Sequence, residues 1–289
     1  MGVTIKFPVA QEYGGMRLRE YLRRKCGVSA SLLTALKQTA HGIEINGVHA
    51  RVVDHIKPGD DVAITLPDDE SDIPPVTIPV SVLYEDEHAI VFDKPPRLTV
   101  HPVRGHQGDT LANAAAFYAA RRGEQYAFRA VNRLDRDTSG ALLAAKNAYA
   151  AALLPKSVSK VYVGVCEGII KTKGTVDKPI RLKEGHTIER ETGEGGVRAV
   201  THYEPLLSGN GHTLLRFTLE TGRTHQIRVH MSSIGNPLAG DDLYGGSRAL
   251  IGRQALHCAE VSFVRPISNE EITVKAPLPE EFERLVKGE

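Results

Sequence analysis

The sequence predicts an α+β protein in two parts: a small N-terminal α/β unit over residues 14–66 and a larger body over residues 80–289. Three observations carry this. Apolar runs of strand length and of helical period occur in both parts without regular alternation, which argues against a doubly wound parallel sheet. Residues 67–79 interrupt the pattern with Asp68-Asp69-Glu70-Ser71-Asp72 and then Pro74-Pro75, the composition of an extended, unpacked tether. No segment repeats at a fixed period, so a solenoid is not expected.

In the small unit, Leu18, Tyr21 and Leu22 recur at helical spacing and Gly27 stops the helix. Arg17, Arg19, Arg23 and Arg24 occupy the faces this stripe leaves free. A second helix is predicted over residues 29–39, capped by Ser29, with Leu32, Leu33 and Leu36 as its buried stripe. Asn46-Gly47 marks a hairpin turn between short strands. Lys57-Pro58-Gly59-Asp60 is a further turn before a strand over residues 62–66.

In the larger body, residues 80–84 and 88–92 read as short strands. Asp109 is placed to cap a helix through Leu111, Ala114, Ala115 and Tyr118, which ends at Gly123. Residues 141–145, Ala-Leu-Leu-Ala-Ala, have the length and character of a buried strand. Asn147 caps a helix that ends before Pro155. Further strands are predicted over residues 160–165, 197–203, 213–219 and 261–264. A helix from a Thr224 cap carries the stripe Ile227, Met231 and Ile234, with Gly235 as its stop and Pro237 beyond.

Composition narrows the function. The 36 basic and 35 acidic residues nearly cancel, so any nucleic-acid surface must be a local patch. No apolar run approaches the ~20 residues needed to span a bilayer. Residues 1–12 lack the apolar core of a signal peptide. Cys26, Cys166 and Cys258 are odd in number and far apart, which argues against a disulfide framework and points to the cytoplasm. His225 and His230 are five residues apart, not the four of a helical zinc pair, and neither a P-loop nor a dinucleotide fingerprint is present. No metal and no cofactor are expected.

The chemistry centres on Asn132-Arg133-Leu134-Asp135-Arg136-Asp137-Thr138-Ser139-Gly140. It sets a carboxylate between arginines at the edge of a sheet. An Asp merely capping a turn is the plain alternative. The segment resembles the catalytic signature of the RluA-type pseudouridine synthases, H-R-L-D-x-x-T-S-G, with Asn132 in place of His. Three further segments match that family in order: Tyr84-Glu85-Asp86 through Lys94-Pro95-Pro96 with Thr99-Val100-His101-Pro102; Lys160-Val161-Tyr162; and Thr221-Gly222-Arg223-Thr224-His225-Gln226-Ile227-Arg228 through Pro237-Leu238-Ala239-Gly240-Asp241 and Tyr244-Gly245. The resemblance implies the pseudouridine synthase fold, a mixed, mainly antiparallel central sheet flanked by helices. The small unit is similar to the S4 RNA-binding domain.

Converting uridine to pseudouridine breaks an N-glycosidic bond, turns the uracil and joins its C5 to C1′. Such chemistry needs a carboxylate near the anomeric carbon or uracil C6, a fixed cation to aim it, and a base for the C5 proton. Asp135 is the candidate carboxylate, since an Asp beside a guanidinium stays ionised and can act as nucleophile or electrostatic stabiliser. The resemblance assigns Arg228 as its partner. Period-two alternation puts Tyr162 beside Lys160 on a cleft-facing strand face, where the ring can stack on the base and the hydroxyl can assist C5 deprotonation. A uracil inside a stacked helix must be extruded, and Arg133 resembles the arginine that enters the vacated space. Arg223 is suited to phosphate beside a helix N-terminus. Arg17, Arg19, Arg23 and Arg24 are candidate phosphate contacts of the small unit.

The sequence is thus identified as an RNA-modifying isomerase acting on structured RNA, with large-subunit (23S) ribosomal RNA the expected substrate and neither DNA nor membrane as partner. A transfer-RNA pseudouridine synthase and a non-catalytic, RNA-binding ribosome-assembly factor are the alternatives. A retaining glycosidase using Asp135 with a second carboxylate is a further alternative, but it lacks a convincing acid partner and does not explain the basic N-terminal module. A monomer is expected, and the tether is expected to make the two parts separable.

Overall fold

The computed structural model describes residues 3–67, 71–103 and 107–288. The acidic run 68–70 of the expected tether lies outside these residues. Its second half is extended but not unpacked: Ile73 and Ile78 lie against the main core, and Asn113 exchanges backbone and side-chain hydrogen bonds with Val76 and Pro74 at 3.2 and 2.9 Å.

The small unit is built around a four-stranded antiparallel sheet. Its strands are β1 (Thr4–Pro8), β2 (Ile43–Ile45), β3 (Val48–His49) and β4 (Asp61–Thr65), in the order β1-β4-β2-β3. β1 lies ahead of the expected boundary at residue 14. Its pattern was not legible as a strand, because only Ile5 is buried and the neighbouring side chains are exposed or half-exposed. Helix α1 (Leu18–Glu20) continues as a wider π-helical turn, Tyr21–Lys25, and buries Leu18, Tyr21 and Leu22 as the stripe predicts. Helix α2 (Ala30–Leu36) is capped by Ser29, whose hydroxyl accepts the Leu32 N–H at 3.1 Å. Asn46 and Gly47 both take positive φ, 53° and 77°, the geometry a two-residue hairpin with right-handed twist requires.

The larger body is organised on a ten-stranded mixed sheet. Its strands include β5 (Ser81–Glu85), β6 (Ala89–Lys94), β7 (Arg129–Ala130), β8 (Ser139–Ala145), β9 (Ser159–Glu167), β10 (Gly174–Asp177), β13 (Val200–Gly209), β14 (His212–Leu219), β15 (Leu256–Val264) and β16 (Glu271–Lys275). The long path runs β10-β13-β14-β9-β15-β8-β6-β5, with β16 beside β15 and β7 beside β8. Every pairing is antiparallel except β15 with β8. A separate two-stranded ribbon, β11 (Ile180–Leu182) and β12 (Arg190–Thr192), stands beside this sheet.

Helix α3 (Leu111–Arg121) is capped by Thr110 and not by Asp109: Thr110 and Asn113 form a reciprocal capping box. Thr110 is fully buried, so a residue without charge fits the cap position better than the neighbouring carboxylate. Helix α4 (Ala148–Leu153) is capped by Asn147 as expected. Helix α5 (Gln226–Ser233) follows β14, and α6 (Glu280–Lys287) closes the chain. All seven residues of β8 are buried, which accounts for its unbroken small and apolar sequence. Gly140, at φ 106°, is where β8 passes β15; a Cβ there would run into the Cys258 main chain.

The two parts share one contact region. Tyr149 of α4 is buried within the core of the small unit, its ring edge-on to Phe7, and its hydroxyl donates to the Cys26 carbonyl at 2.7 Å. Ala148 and Leu153 pack beside it. The small unit is therefore seated on α4, and removing it would expose an apolar face on the larger body. The tether is therefore not the only connection between the two parts.

Candidate active site

Asp135 lies in the loop between β7 and β8, where main-chain donors and acceptors are held from several directions. Asn132 is buried and binds β8 twice: it accepts from Leu143 N–H at 2.8 Å and donates to the Ala141 carbonyl at 3.4 Å. An amide carries both N–H donors and an acceptor oxygen, so it satisfies both backbone groups. The Asp135 carbonyl accepts from Thr138 N–H at 3.1 Å. The next two carbonyls each meet a buried cation: Lys94 donates to Arg136 O at 3.0 Å and Arg253 to Asp137 O at 3.2 Å. Gln254 donates to the Thr138 hydroxyl at 3.3 Å.

Lys94 ends β6 and is fully buried. Its three N–H groups match three carbonyls, of Pro95, Leu98 and Arg136, at 2.8, 2.8 and 3.0 Å. Burial pulls its pKa down to about 7, while Asp137 and Asp135 pull the other way. Arg253 is tied in turn to Glu281 of α6, with Nε at 3.0 Å. The Lys94-Pro95-Pro96 match thus has a physical purpose: it fixes the floor under the Asp135 loop. Lys94→Met should leave three buried carbonyls without their donor, at about 1 kcal/mol or more each. Urea unfolding should show a stability loss of about 2–5 kcal/mol; an unchanged midpoint would mean the carbonyls find other partners.

Arg228 lies on α5 and is buried. Its Nε and one terminal nitrogen grip Asp241 in a two-pronged pair, 2.7 and 2.8 Å, and Asp241 is itself 1% exposed. The remaining nitrogen reaches Asp135 Oδ2 at 3.3 Å. The guanidinium also lies 4.9 Å from the Tyr244 ring centre. Hydrogen bonding and charge from Asp241, with Asp135 adding, raise the Arg228 pKa although burial opposes this. The cation is therefore permanent, aimed, and shared between a structural carboxylate and the candidate reacting one.

The start of α5 differs from expectation. The N-cap is His225, in the left-handed conformation at φ 57°, and not Thr224. Gln226 folds back to accept from Arg223 N–H at 3.0 Å and from the Thr221 hydroxyl at 2.8 Å. No side chain caps the helix; Gln226 instead ties the preceding loop to the first turn, which the spacing of Ser and Thr residues could not reveal. His225 places Nδ1 2.8 Å from the Tyr244 hydroxyl and Nε2 3.9 Å from Asp135 Oδ2.

Tyr162, on β9, lines the same cleft, as does Lys160. The opposite face of β9 is not the main core. Val163 and Val165 pack under α6, against Phe282, Leu285 and Val286. Burial raises the Tyr162 pKa well above its usual value, with the Cys258 thiol and Asp135 adding to this. The group is an undissociated phenol, suited to stacking and to donating a hydrogen bond; ionising it to accept a C5 proton is opposed by that burial.

The cleft has a volume of about 750 Å³. Its described lining includes five cations, Arg133, Arg136, Lys160, Arg223 and Arg228, and a single carboxylate, Asp135. Arg133 and Arg223 are exposed on its lining, and Arg223 Nε also donates to the Arg198 carbonyl at 3.2 Å. Such a surface attracts a polyanion and presents it with one reactive anion. Arg17, Arg19, Arg23 and Arg24 do not line this cleft; all four are exposed on the small unit. Arg23 donates to the Val28 carbonyl at 2.6 Å and Arg24 pairs with Glu20 at 2.6 Å.

Asp241, Tyr244, Lys94 and Arg253 have no role that the sequence alone assigns, and His225 is read there only against the spacing of a metal pair. The first two lie in the fourth matching segment, so position was a usable signal. Arg253 carried none.

The family described as RNA pseudouridylate synthase matches residues 88–233. An uncharacterised RNA pseudouridine synthase of Bacillus subtilis, YjbO, is 39% identical over 282 residues, covering 95% of this chain and 99% of the relative. The ribosomal large subunit pseudouridine synthase D of Pseudomonas aeruginosa is 40% identical over 227 residues, 71% of this chain and 70% of the relative. Among solved structures, human RNA pseudouridylate synthase domain containing 1 aligns with a TM-score of 0.58 at 26% identity, covering 71% of this chain and 85% of that one.

Proposed function

Since this chain belongs to the RNA pseudouridine synthase family, we propose that it isomerises uridines of large-subunit (23S) ribosomal RNA, with Asp135 as the catalytic carboxylate. The activity class, an RNA pseudouridine synthase of the RluA family, follows from the family itself. The substrate reading draws on relatives named for the large ribosomal subunit, at 36 to 40% identity. The observation that carries the site reading is the Asp135 carboxylate, alone among cations and 3.3 Å from an arginine that Asp241 holds in place.

In this reading Arg133 enters the RNA as the target base leaves the stack, and Arg223 and Arg136 take phosphate. Tyr162 stacks on the extruded uracil. Asp135 attacks or stabilises the sugar–base unit while Arg228, 3.3 Å from Oδ2, keeps the carboxylate aimed. The bond from C1′ to N1 breaks, uracil turns, and C5 joins C1′; the C5 proton then leaves to solvent and N1 takes one up from solvent, so the product remains an isomer of uridine. Residues 14–66, extended by β1, act as an S4 RNA-binding domain. Buried thiols at Cys26, Cys166 and Cys258 fit a reducing cytoplasm. Among the described residues no helix is long and apolar enough to cross a membrane.

The substrate test is pseudouridine mapping in ribosomal RNA from cells with and without the protein. Sites should vanish from the large-subunit RNA and return with the intact gene; unchanged large-subunit RNA with sites lost from transfer RNA would overturn the substrate reading. The small unit is tested by salt dependence. Replacing Arg17 and Arg19 with Ala should weaken RNA binding and flatten its salt slope by roughly one unit per lost phosphate contact. Single-turnover rates at saturating RNA should hold. An unchanged slope would remove these arginines from the interface.

A further inference from the structure

Hydrogen-bond counting around Tyr244 fixes the protonation of a neighbour of Asp135. The Tyr244 hydroxyl is buried between two nitrogens. It accepts from the backbone N–H of Arg190, on β12, at 2.9 Å, and lies 2.8 Å from His225 Nδ1. Among the described residues it has no third partner. A phenol carries one proton and a neutral imidazole one N–H. Were the imidazole proton on Nδ1, two N–H groups would converge on one oxygen and the phenolic proton would have no buried acceptor. The satisfied arrangement has Tyr244 O–H donating to Nδ1, which leaves the imidazole proton on Nε2. Nε2 faces Asp135 Oδ2 at 3.9 Å, the same oxygen that Arg228 approaches at 3.3 Å.

We propose that His225 is a positioning residue for the reaction: a neutral imidazole, locked by Tyr244 and the Arg190 backbone as the Nε2–H tautomer, that joins Arg228 in pinning Asp135 Oδ2. This rests on Asp135 being the catalytic carboxylate. A hydrogen bond of this kind tightens when substrate closes the site. Two donors on Oδ2 set the rotation of the carboxylate and leave Oδ1 turned to the sugar–base unit. The groups facing His225 are Asp135 from the loop before β8, Arg228 from α5, Asp241 and Tyr244 from the turn that follows, and Arg190 from β12. Burial lowers the His225 pKa, Arg228 and Arg190 add to this, and Asp135 and Asp241 oppose it. The sign follows: the imidazole stays neutral through neutral pH, and as pH falls through the lowered pKa Nδ1 gains a proton it cannot place on Tyr244, so the lock on the ring is lost although Nε2 keeps its N–H.

The test uses the full-length protein labelled with 15N-histidine. Two-bond 1H–15N correlation at pH 7, assigned by the signal lost in His225→Gln, should show His225 as the Nε2–H tautomer; an Nδ1–H tautomer overturns the proposal. Single-turnover kinetics supply the second readout. His225→Ala should slow the reaction by about 10- to 100-fold, the scale of a modest misplacement of a reacting group, with RNA affinity unchanged. His225→Gln, whose amide N–H reaches the Nε2 position, should restore much of the rate. His225→Asn tolerates the left-handed backbone but reaches only the Nδ1 position, and should not. Tyr244→Phe keeps the ring on Arg228 but removes the donor to Nδ1, so the acid limb of the rate profile should move to higher pH. Normal rates in both His225→Ala and Tyr244→Phe overturn the proposal. If Asp135→Asn stays active, the catalytic reading itself fails; if it is dead while His225→Ala is normal, only the role of His225 fails.

Discussion

Asp135→Asn should abolish turnover in a protein that still folds and binds RNA. The exchange is nearly isosteric and removes one negative charge from a cleft whose other charged lining residues are cations. The fold does not depend on that charge. The loop is held by main-chain contacts from Lys94, Arg253 and Thr138, and Arg228 keeps its two-pronged pair with Asp241. The reaction does depend on it, because an amide neither attacks carbon nor balances positive charge developing on the sugar. A loss of at least ~10³-fold is expected, the scale seen when a catalytic group is removed. RNA affinity should hold or rise slightly, since the polyanion no longer meets a carboxylate. The measurement is single-turnover tritium release from RNA carrying 5-tritiated uridine, with binding measured in parallel. A near-normal rate would show that another group performs the chemistry.

The contrast between what was legible in the sequence and what was not has a physical basis. The helices of the small unit, the Asn46-Gly47 hairpin and strand β8 follow from short-range rules: apolar period, a capping hydroxyl, a turn pair that tolerates positive φ. The pairing of Asp135 with Arg228 came from the family resemblance, 93 positions apart, and the structure brings them together. Elements with weak local signals went unseen. β10, β11 and β12 are only three or four residues long, and β16 alternates with just one buried side chain. Helix α6 did carry signals, Pro279 ahead of it, Glu280, Glu281 and Glu283 in its first turn and Arg284 and Lys287 in its last. Its buried set, Phe282, Leu285 and Val286, is small enough to pass for a terminal tail. The bracing of the Asp135 loop was illegible for another reason. Lys94 and Arg253 act on backbone carbonyls, which every residue has, so no side-chain pattern advertises the contact.

Arg228→Lys should be severely impaired although it keeps the charge. The guanidinium makes three directed contacts from three nitrogens: two to Asp241 at 2.7 and 2.8 Å and one to Asp135 at 3.3 Å. It also lies over the Tyr244 ring, 4.9 Å from the ring centre. An ammonium is a point charge on a flexible stem and cannot reproduce that fork. Lysine at this position would follow the more buried partner, Asp241, which is 1% exposed, and desert Asp135, whose side chain is 28% exposed. The expected cost is about 10²-fold or more in single-turnover rate, since a shift of about 1 Å in a positioning contact is enough for that. Loss of one charge-assisted hydrogen bond to Asp241 should also lower stability by about 1.5–3 kcal/mol, read from urea unfolding. RNA affinity should change little, because Arg133, Arg136, Lys160 and Arg223 remain on the cleft lining. Rate and affinity falling together would reassign Arg228 to phosphate contact. Asp241→Asn separates the two roles from the other side: it leaves both Asp135 and Arg228 in place but loosens the grip, so stability and rate should fall while the electrostatic attraction of RNA grows. If Asp241→Asn turned over normally, the fixed orientation of Arg228 would not be what aims Asp135.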